Sequence, residues 1–293
     1  MALQTRALAP DLTERVLDKL GLSSYPEPTL ADLTRIYAAW CRQIPFDNVQ
    51  KIIHLHTGAS GPLPGDAAAD FFEAWLSDGT GGTCWAGNGG LHALLGSLGF
   101  AVTRGLGTML SSPNVPPNHG TVVVDLDGAL YLVDASILHS EPLRLDGREP
   151  MAIEHPAWGV QCRMQDDRWH IRWRPLHTPA GIDCRIEHLQ ATGETFRESH
   201  EGTRGWSPFN YEVAARLLTN DAIIGASFGE RVVLDAGGES REPLATEDRN
   251  RFLVEKLGMS EEIISQLPPD TRTPPAPWAR TAEDTWLGKR ATG

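Results

Sequence analysis

A cysteine in the first third of the sequence could act as a nucleophile. Cys84 follows the glycine-rich segment 79–83 and precedes leucines at helical spacing, which places it at or just before a helix N-terminus. The unpaired amides and partial positive charge of such an end favour a thiolate. The glycines would let the backbone approach a substrate closely. Cys84 is therefore a candidate nucleophile, and the alternative is a small buried side chain at a glycine turn.

A histidine and an aspartate could assist this cysteine. His119 begins a predicted strand and Asp134 ends the next one, with Asp127-Gly128 between them as a strong hairpin signal. In that hairpin, residues whose numbers sum to about 255 face each other, so His119 and Asp134 lie close together at its open end. A carboxylate there would orient the imidazole and stabilise its charged form. The three side chains predict a catalytic triad, and the alternative is a His–Asp pair with a structural role only.

The elements that must position these residues change type along the chain. Apolar periodicity predicts helices over 11–20, 29–40, 66–77 and up to Leu98 after Cys84, the first with a capping box at 11–14. Strands are predicted over 100–105, 120–125, 130–134, 171–173, 183–186 and 230–234, and further helices over 211–218 and 246–257. Helices followed by strands and then by a mixed region indicate an α+β protein.

Composition excludes several classes of function. The 293 residues contain 38 acidic and 26 basic side chains, a net charge of −12, which argues against nucleic-acid binding. No apolar run reaches the ~20 residues of a membrane span, and the N-terminus lacks the apolar core of a signal peptide, so we expect a cytoplasmic protein. The four cysteines are far apart and form no CxxC pair, which argues against a zinc site or a disulfide framework: Cys41, Cys84, Cys162 and Cys184.

Two further motifs carry weaker signals. The segment 225–229 matches G-x-S-x-G, but a strand-like segment follows it where a nucleophile elbow requires a helix, so we predict a hairpin loop. His54 and His56 could bind a metal from one strand, but no third ligand is suitably spaced, and we predict a solvated loop with no metal.

With these motifs in place, the chain resembles the arylamine N-acetyltransferases and their relatives. The resemblance rests on segments 44–48, 81–88 and 98–100 and on His119 and Asp134; it covers about residues 30–145 and is fainter in the last third. It implies an N-terminal helical bundle, a central antiparallel β-barrel-like domain and a C-terminal α/β lid, with a papain-like triad. We predict these parts over 1–98, 99–200 and 201–293, the last including a C-terminal arm.

The resemblance also implies a reaction. In that family an acyl thioester, usually acetyl-CoA, acylates the cysteine, and an aromatic amine or hydrazine then takes the acyl group. For this chain it implies no bound cofactor, an acyl-CoA or acyl-carrier thioester as donor, and an amine as acceptor. We predict Phe46, Trp85 and Thr121 as substrate-binding residues.

The chain departs from the family pattern near the predicted triad. Four single residues differ from the usual ones: Trp40 replaces a His, Asp47 a Glu, Thr80 an Arg and Ala86 a Glu. Residues 135–138 replace the usual Val-Gly-Phe-Gly segment. With fewer charged groups, we expect the site to favour a longer, more apolar acyl chain over acetyl.

Other functions remain open at this point. A biosynthetic amide synthase or Dieckmann-type cyclase would act on a polyketide bound to an acyl carrier protein, and a cysteine thioester hydrolase would pass the acyl group to water. Docking of an acidic carrier protein would require a basic patch on this acidic chain, for which Arg104, Arg204 and Arg216 are candidates.

Overall fold

The N-terminal part of the protein is helical. In the computed structural model, the described residues are 7–111, 115–145, 150–155 and 159–275. Its first elements are α1 (Pro10–Lys19), α2 (Leu30–Gln43), β1 (Phe46–Asp47), α3 (Val49–His56), α4 (Ala68–Asp78) and α5 (Cys84–Ser97). Aromatic side chains fill the core between these helices, with Trp40, Phe72 and Trp75 at most 1% exposed.

A large antiparallel sheet follows the helices. Its strands are β2 (Ala101–Met109), β3 (His119–Leu126), β4 (Ala129–Val133), β5 (Leu143–Arg144), β6 (Met151–Ile153), β7 (Val160–Gln165), β8 (Arg168–Trp173) and β9 (Ile182–Ala191). The strand order is β5-β4-β3-β2-β9-β8-β7-β6. The two edge strands approach each other, so the sheet is a nearly closed barrel. The α+β class and the barrel-like sheet predicted from the sequence are thereby confirmed.

A smaller antiparallel sheet joins the N-terminal helical region to the part of the chain that follows the large sheet. After α6 (Gly193–Gly202) and two single 3₁₀ turns come β10 (Ala214–Leu218), β11 (Ala222–Ser227), β12 (Glu230–Asp235), β13 (Gly238–Pro243), α7 (Thr246–Leu257) and α8 (Glu261–Ile264). The strand order is β1-β10-β11-β12-β13, so β1 brings the N-terminal region to this sheet. Within the described ranges, no helix is long and apolar enough to cross a bilayer.

The β3–β4 hairpin has the predicted register. Val122 faces Val133, so paired residue numbers sum to 255. Asp127 and Gly128 at the turn have φ values of 52° and 83°, the left-handed conformations that a two-residue hairpin turn of this kind requires. The open end of the hairpin therefore brings residues 119 and 134 together.

Three local predictions are wrong. The helix α1 begins at Pro10 with Ala9 as its N-cap, so Asp11 lies inside the first turn and makes no capping box. Residues 214–218 form strand β10 instead of a helix, because the segment pairs with β1 and β11 and is buried on both faces. A strand buried on both faces has no clear apolar period. The segment predicted as a loop around His54 and His56 is the helix α3.

Candidate active site

The glycine-rich segment holds Cys84 at the first position of α5. A Cβ atom at Gly81 would lie 1.8 Å from the carbonyl oxygen of Pro45, so only glycine fits at this close backbone approach. The Asp47 carboxylate ties the segment to β1 by accepting hydrogen bonds from the amides of Val49 at 2.9 Å and Gly81 at 2.6 Å. Burial raises the pKa of Asp47 to about 6 despite these two amides.

The β3–β4 hairpin places a buried His–Asp pair beside this helix end. The His119 Nε2 atom lies 2.7 Å from Oδ2 of Asp134, and both side chains are at most 2% exposed. The amides of Ser136 and Ile137 donate to Oδ1 of Asp134 at 2.8 and 3.0 Å. The chain after β4 thus wraps around the carboxylate and fixes its orientation.

The electrostatics of the pair favour its charged form. Burial by itself lowers the pKa of His119, but the carboxylate of Asp134 and the hydrogen bond with Cys84 outweigh it, so the pKa lies well above the usual 6.5. Burial alone would raise the pKa of Asp134, yet the imidazolium and the backbone amides hold it below its usual value. His119 is therefore an imidazolium at neutral pH.

Cys84 completes the cluster. Its side chain lies close enough to His119 to help raise the pKa of the imidazole, and its Sγ atom lies 3.9 Å from the carbonyl oxygen of Asn118. Since Asp134 occupies Nε2, the ring nitrogen available to the thiol is Nδ1. The structure thus brings together the three predicted residues Cys84, His119 and Asp134.

Two polar residues that support this cluster were missed from the sequence. Asn88 donates to the carbonyl oxygen of Gly120 at 2.6 Å and accepts from the amide of Ala135 at 2.9 Å, so it joins α5 to strand β3 and to the segment after β4. It lies four residues after Cys84, on the same face of the helix, and this spacing was the available signal. The Tyr37 hydroxyl donates to the carbonyl oxygen of Asp134 at 2.8 Å, although its spacing had suggested only an apolar core residue.

A cavity opens beside Cys84 and His119. Aromatic rings dominate its walls: Phe46, Trp85, Trp173, His177, Trp206 and Phe209. Phe46 and Trp85, two of the predicted substrate-binding residues, therefore line it. Thr121 does not; it is completely buried behind the His–Asp pair, where its hydroxyl donates to the carbonyl oxygen of Val133 at 3.4 Å.

Most departures from the family pattern lie behind the cavity, whereas Ser136, one of residues 135–138, lines it. Trp40, Ala86 and Leu138 belong to the main apolar core, and Thr80 accepts a hydrogen bond from the Gln50 amide at 3.1 Å. None of these is a lining residue in the described part of the chain. These four side chains therefore do not shape the cavity wall directly, and the expected preference for a longer, more apolar acyl chain stays a prediction.

Besides His119, the wall carries two basic side chains, Lys51 and Arg216. Lys51 donates to the Thr203 hydroxyl at 2.8 Å, and burial lowers its pKa to about 7 although the nearby Cys84 opposes this effect. Arg216 is only 6% exposed, so its prediction as part of a surface patch for a carrier protein is wrong. Arg204, a second candidate for that patch, is already paired with Glu201.

The two weaker motifs have structural explanations. Ser227 ends β11, and Phe228 and Gly229 turn the chain into β12, so the G-x-S-x-G segment is the predicted hairpin and not a nucleophile elbow. His54 lies on α3 with Nε2 3.3 Å from Arg204. Across the described ranges, no group of three or more His, Cys, Asp or Glu side chains is arranged to hold a metal ion.

The fold and this site together define a class of protein. A helical region presents a cysteine at a helix N-terminus to a histidine and an aspartate on adjacent strands of a barrel-like sheet, which is the arrangement of papain-like cysteine enzymes.

Comparison with known proteins identifies the family. A family model described as N-acetyltransferase matches residues 29–171. The arylamine N-acetyltransferase of Mycolicibacterium smegmatis is 29% identical over 221 residues, which cover 70% of this chain and 76% of the relative. The structure of the Mycobacterium abscessus enzyme superposes with a TM-score of 0.73 at 18% identity, covering 87% and 93% of the two chains. The Mycobacterium marinum enzyme in complex with CoA gives 0.74 at 17% identity, with 87% and 98% covered. These matches support membership in the arylamine N-acetyltransferase family and an acyltransferase activity.

Proposed function

We propose that the protein transfers an acyl group from a thioester to an amine through an acyl-enzyme on Cys84. The observation that carries this proposal is that Cys84 and His119 border one cavity while the His119 ring is held by Asp134 at 2.7 Å. The arrangement pairs a nucleophile with a base, and the base with a group that orients it.

In the first step, the Cys84 thiolate attacks the thioester carbonyl. The N-cap of α5, Thr83, makes no side-chain capping hydrogen bond to the described residues, so the first amides of the helix can stabilise the developing oxyanion. Collapse of the tetrahedral intermediate forms the Cys84 thioester and breaks the donor C–S bond. The departing thiolate takes the proton of His119, which becomes a neutral imidazole.

In the second step, the amine attacks the acyl-enzyme. The neutral His119 accepts the amine proton, the amide product forms, and the C–S bond to Cys84 breaks. The thiolate and the imidazolium are thereby restored, and Asp134 keeps the imidazole oriented throughout.

The nature of the two substrates follows from the relatives and the cavity. One solved relative binds CoA, and the curated relatives are named arylamine N-acetyltransferases, so we propose acyl-CoA as donor and an aromatic amine as acceptor. The aromatic walls suit an aromatic ring, which stacks or packs edge-on against them. A carrier-protein donor, a role in antibiotic biosynthesis and a cytoplasmic location stay predictions.

Intact-mass spectrometry tests the acyl-enzyme directly. After mixing with acetyl-CoA or a larger acyl-CoA, we expect one acyl group on the wild-type protein, and its loss when 4-methylaniline is added. Cys84→Ala should form no adduct and show no transfer. Cys162→Ala is the matched control, because burial raises the pKa of the Cys162 thiol to about 12 and leaves it unreactive.

Two results would contradict the proposal. An adduct that survives in Cys84→Ala would show that another residue carries the acyl group. An adduct that disappears equally fast with and without the amine would indicate a thioester hydrolase.

A further inference from the structure

The cavity beside Cys84 is positively charged in an acidic protein. The chain as a whole carries −12, yet the lining residues include Lys51 and Arg216 and, among the residues that the structure describes, no aspartate or glutamate. Cys84 and His119 also line the cavity, and as a thiolate and an imidazolium they balance each other. A buried cation without a counter-ion is costly unless a ligand supplies the negative charge. The cavity therefore points to an anionic ligand.

Arg216 is held in place with its charge uncompensated. Its guanidinium lies between two aromatic rings, 4.9 Å from the centroid of Phe46 and 4.5 Å from that of Trp173. Its buried Nε atom has no hydrogen-bond partner, and the guanidinium forms no ion pair, within the described ranges. Stacking of this kind orients the plane of a guanidinium and leaves its edge free for a ligand.

The local sequence makes room for this side chain. Arg216 faces Gly225 across the β10–β11 pair and Phe46 across the β1–β10 pair. A Cβ atom at Gly225 would lie 3.1 Å from the Cβ atom of Arg216 and 2.3 Å from the carbonyl oxygen of Ala215. The first glycine of the G-x-S-x-G segment thus serves the packing around Arg216.

We propose that Arg216 binds a carboxylate carried by one of the two substrates, so that the enzyme selects an aromatic or short-chain carboxylic acid derivative over its neutral analogue. This inference rests on the proposed acyl transfer. A planar guanidinium pairs with a carboxylate through two parallel N–H···O bonds, and the aromatic walls hold the rest of the ligand. Lys51, on the same wall, adds to the positive potential.

Binding can be measured without any chemistry. Calorimetric titration of the Cys84→Ala protein with 4-acetamidobenzoate and with 4-acetamidobenzamide compares a carboxylate with a neutral group of the same shape. If the acceptor carries the carboxylate, we expect at least about tenfold tighter binding of the benzoate. Adding Arg216→Met should remove this preference and Arg216→Lys should keep part of it. Adding Arg231→Met is the matched control, since it removes an arginine of β12 that does not line the cavity.

Kinetic measurements distinguish the two sources of the carboxylate. Succinyl-CoA is compared with succinamoyl-CoA as donor, and 4-aminobenzoate with 4-aminobenzamide as acceptor, so the CoA phosphates are the same in both donor arms. A higher kcat/KM for succinyl-CoA that is lost in Arg216→Met assigns the carboxylate to the acyl group. A higher kcat/KM for 4-aminobenzoate that is lost in Arg216→Met assigns it to the amine. The rate at which iodoacetamide labels Cys84 reports whether each variant keeps an intact site.

The proposal fails if neither the donor pair nor the acceptor pair nor the benzoate titration shows a preference for the carboxylate. That comparison needs only wild-type and Cys84→Ala protein, so it decides the matter even if Arg216→Met does not fold. A preference that persists in a folded Arg216→Met variant would also overturn the role of Arg216. Binding selectivity without any acyl transfer would instead contradict the proposed function and leave the carboxylate site standing.

Discussion

At the scale of single residues, Asp134 shows how hydrogen bonds and an ion pair stabilise a buried carboxylate. Its two oxygens are used for different purposes: Oδ2 pairs with His119, and Oδ1 accepts two backbone amides. The side chain is completely buried, so each of these partners offsets part of its desolvation cost. The carboxylate therefore holds the imidazole in one orientation and one tautomer.

Asp134→Asn should separate orientation from charge. The shape of the side chain is kept, but the amide cannot stabilise the imidazolium, and we expect the rate of acyl transfer to fall by about 10²–10⁴-fold. The matched control is Asp125→Asn, which changes an exposed carboxylate that binds the Gly128 amide at the other end of the hairpin. Acyl transfer to an aniline by both variants is the measurement. A transfer rate in Asp134→Asn close to that of Asp125→Asn would remove Asp134 from the site.

At the scale of elements, two loops decide whether the site exists. The glycine segment before α5 passes so close to Pro45 that it fixes where the helix begins. The segment after β4 folds back so that its amides reach the Asp134 carboxylate. The positions of Cys84 and Asp134 thus depend on glycines before α5 and on backbone amides after β4, and not on an apolar pattern.

Two glycine substitutions near α5 should have opposite effects. In Gly81→Ala the new methyl group meets the Pro45 carbonyl oxygen at 1.8 Å, so we expect a loss of about 2 kcal/mol or more in unfolding free energy and a displaced Cys84. In Gly89→Ala, inside the same helix, the methyl group comes no closer than 3.9 Å to Phe196. There we expect a gain of about 0.5–1 kcal/mol from helix propensity.

Urea unfolding and transfer assays on both variants check this expectation. Similar stability of the two variants would show that the backbone before α5 can move away from Pro45, and that the close approach does not fix Cys84.

At the scale of the whole molecule, histidines whose pKa is lowered by burial contribute to the response to acid, and three of them are at most 5% exposed. Burial is the main cause that lowers the pKa of each one, to about 3 for His92, about 4 for His139 and about 3 for His200. Their folded-state pKa values lie below the unfolded value of about 6.5, so between those limits the unfolded chain binds protons that the folded chain does not. Stability therefore falls as the pH drops below about 6.5. Asp47 acts in the opposite direction between its folded value of about 6 and its usual 3.8.

Replacing one of these histidines should flatten this dependence. Each histidine contributes up to about 1.4 kcal/mol per pH unit, so His139→Leu should reduce the slope by about that amount between pH 6 and 5. Neither ring nitrogen of His139 has a hydrogen-bond partner within the described part of the chain, so leucine should be tolerated. Urea unfolding at several pH values is the measurement, with the exposed His188→Leu as control. An unchanged slope in His139→Leu would show that His139 is protonated in the folded protein.

The sequence alone was sufficient for the parts of the site that depend on short-range patterns. The glycine segment and the leucine repeat locate Cys84 at a helix start, and Asp127-Gly128 sets the register that brings His119 next to Asp134. These features are local because a helix end and a two-residue turn are defined by a few consecutive residues. The division into 1–98, 99–200 and 201–293 stays a prediction.

Only the tertiary structure decided what surrounds the reacting groups. Arg216 lies on a strand that the apolar pattern suggested was a helix. Its position depends on pairing with Phe46 of β1, which lies 170 residues earlier in the chain. Asn88 and Tyr37 likewise reach the Asp134 region from distant elements. Such contacts join segments far apart in the chain, and the strand is buried on both faces, so neither spacing nor apolar period reveals them. The proximity of Cys84, His119 and Asp134 could therefore be predicted from the sequence. The charge of the cavity could not, because distant segments contribute its walls.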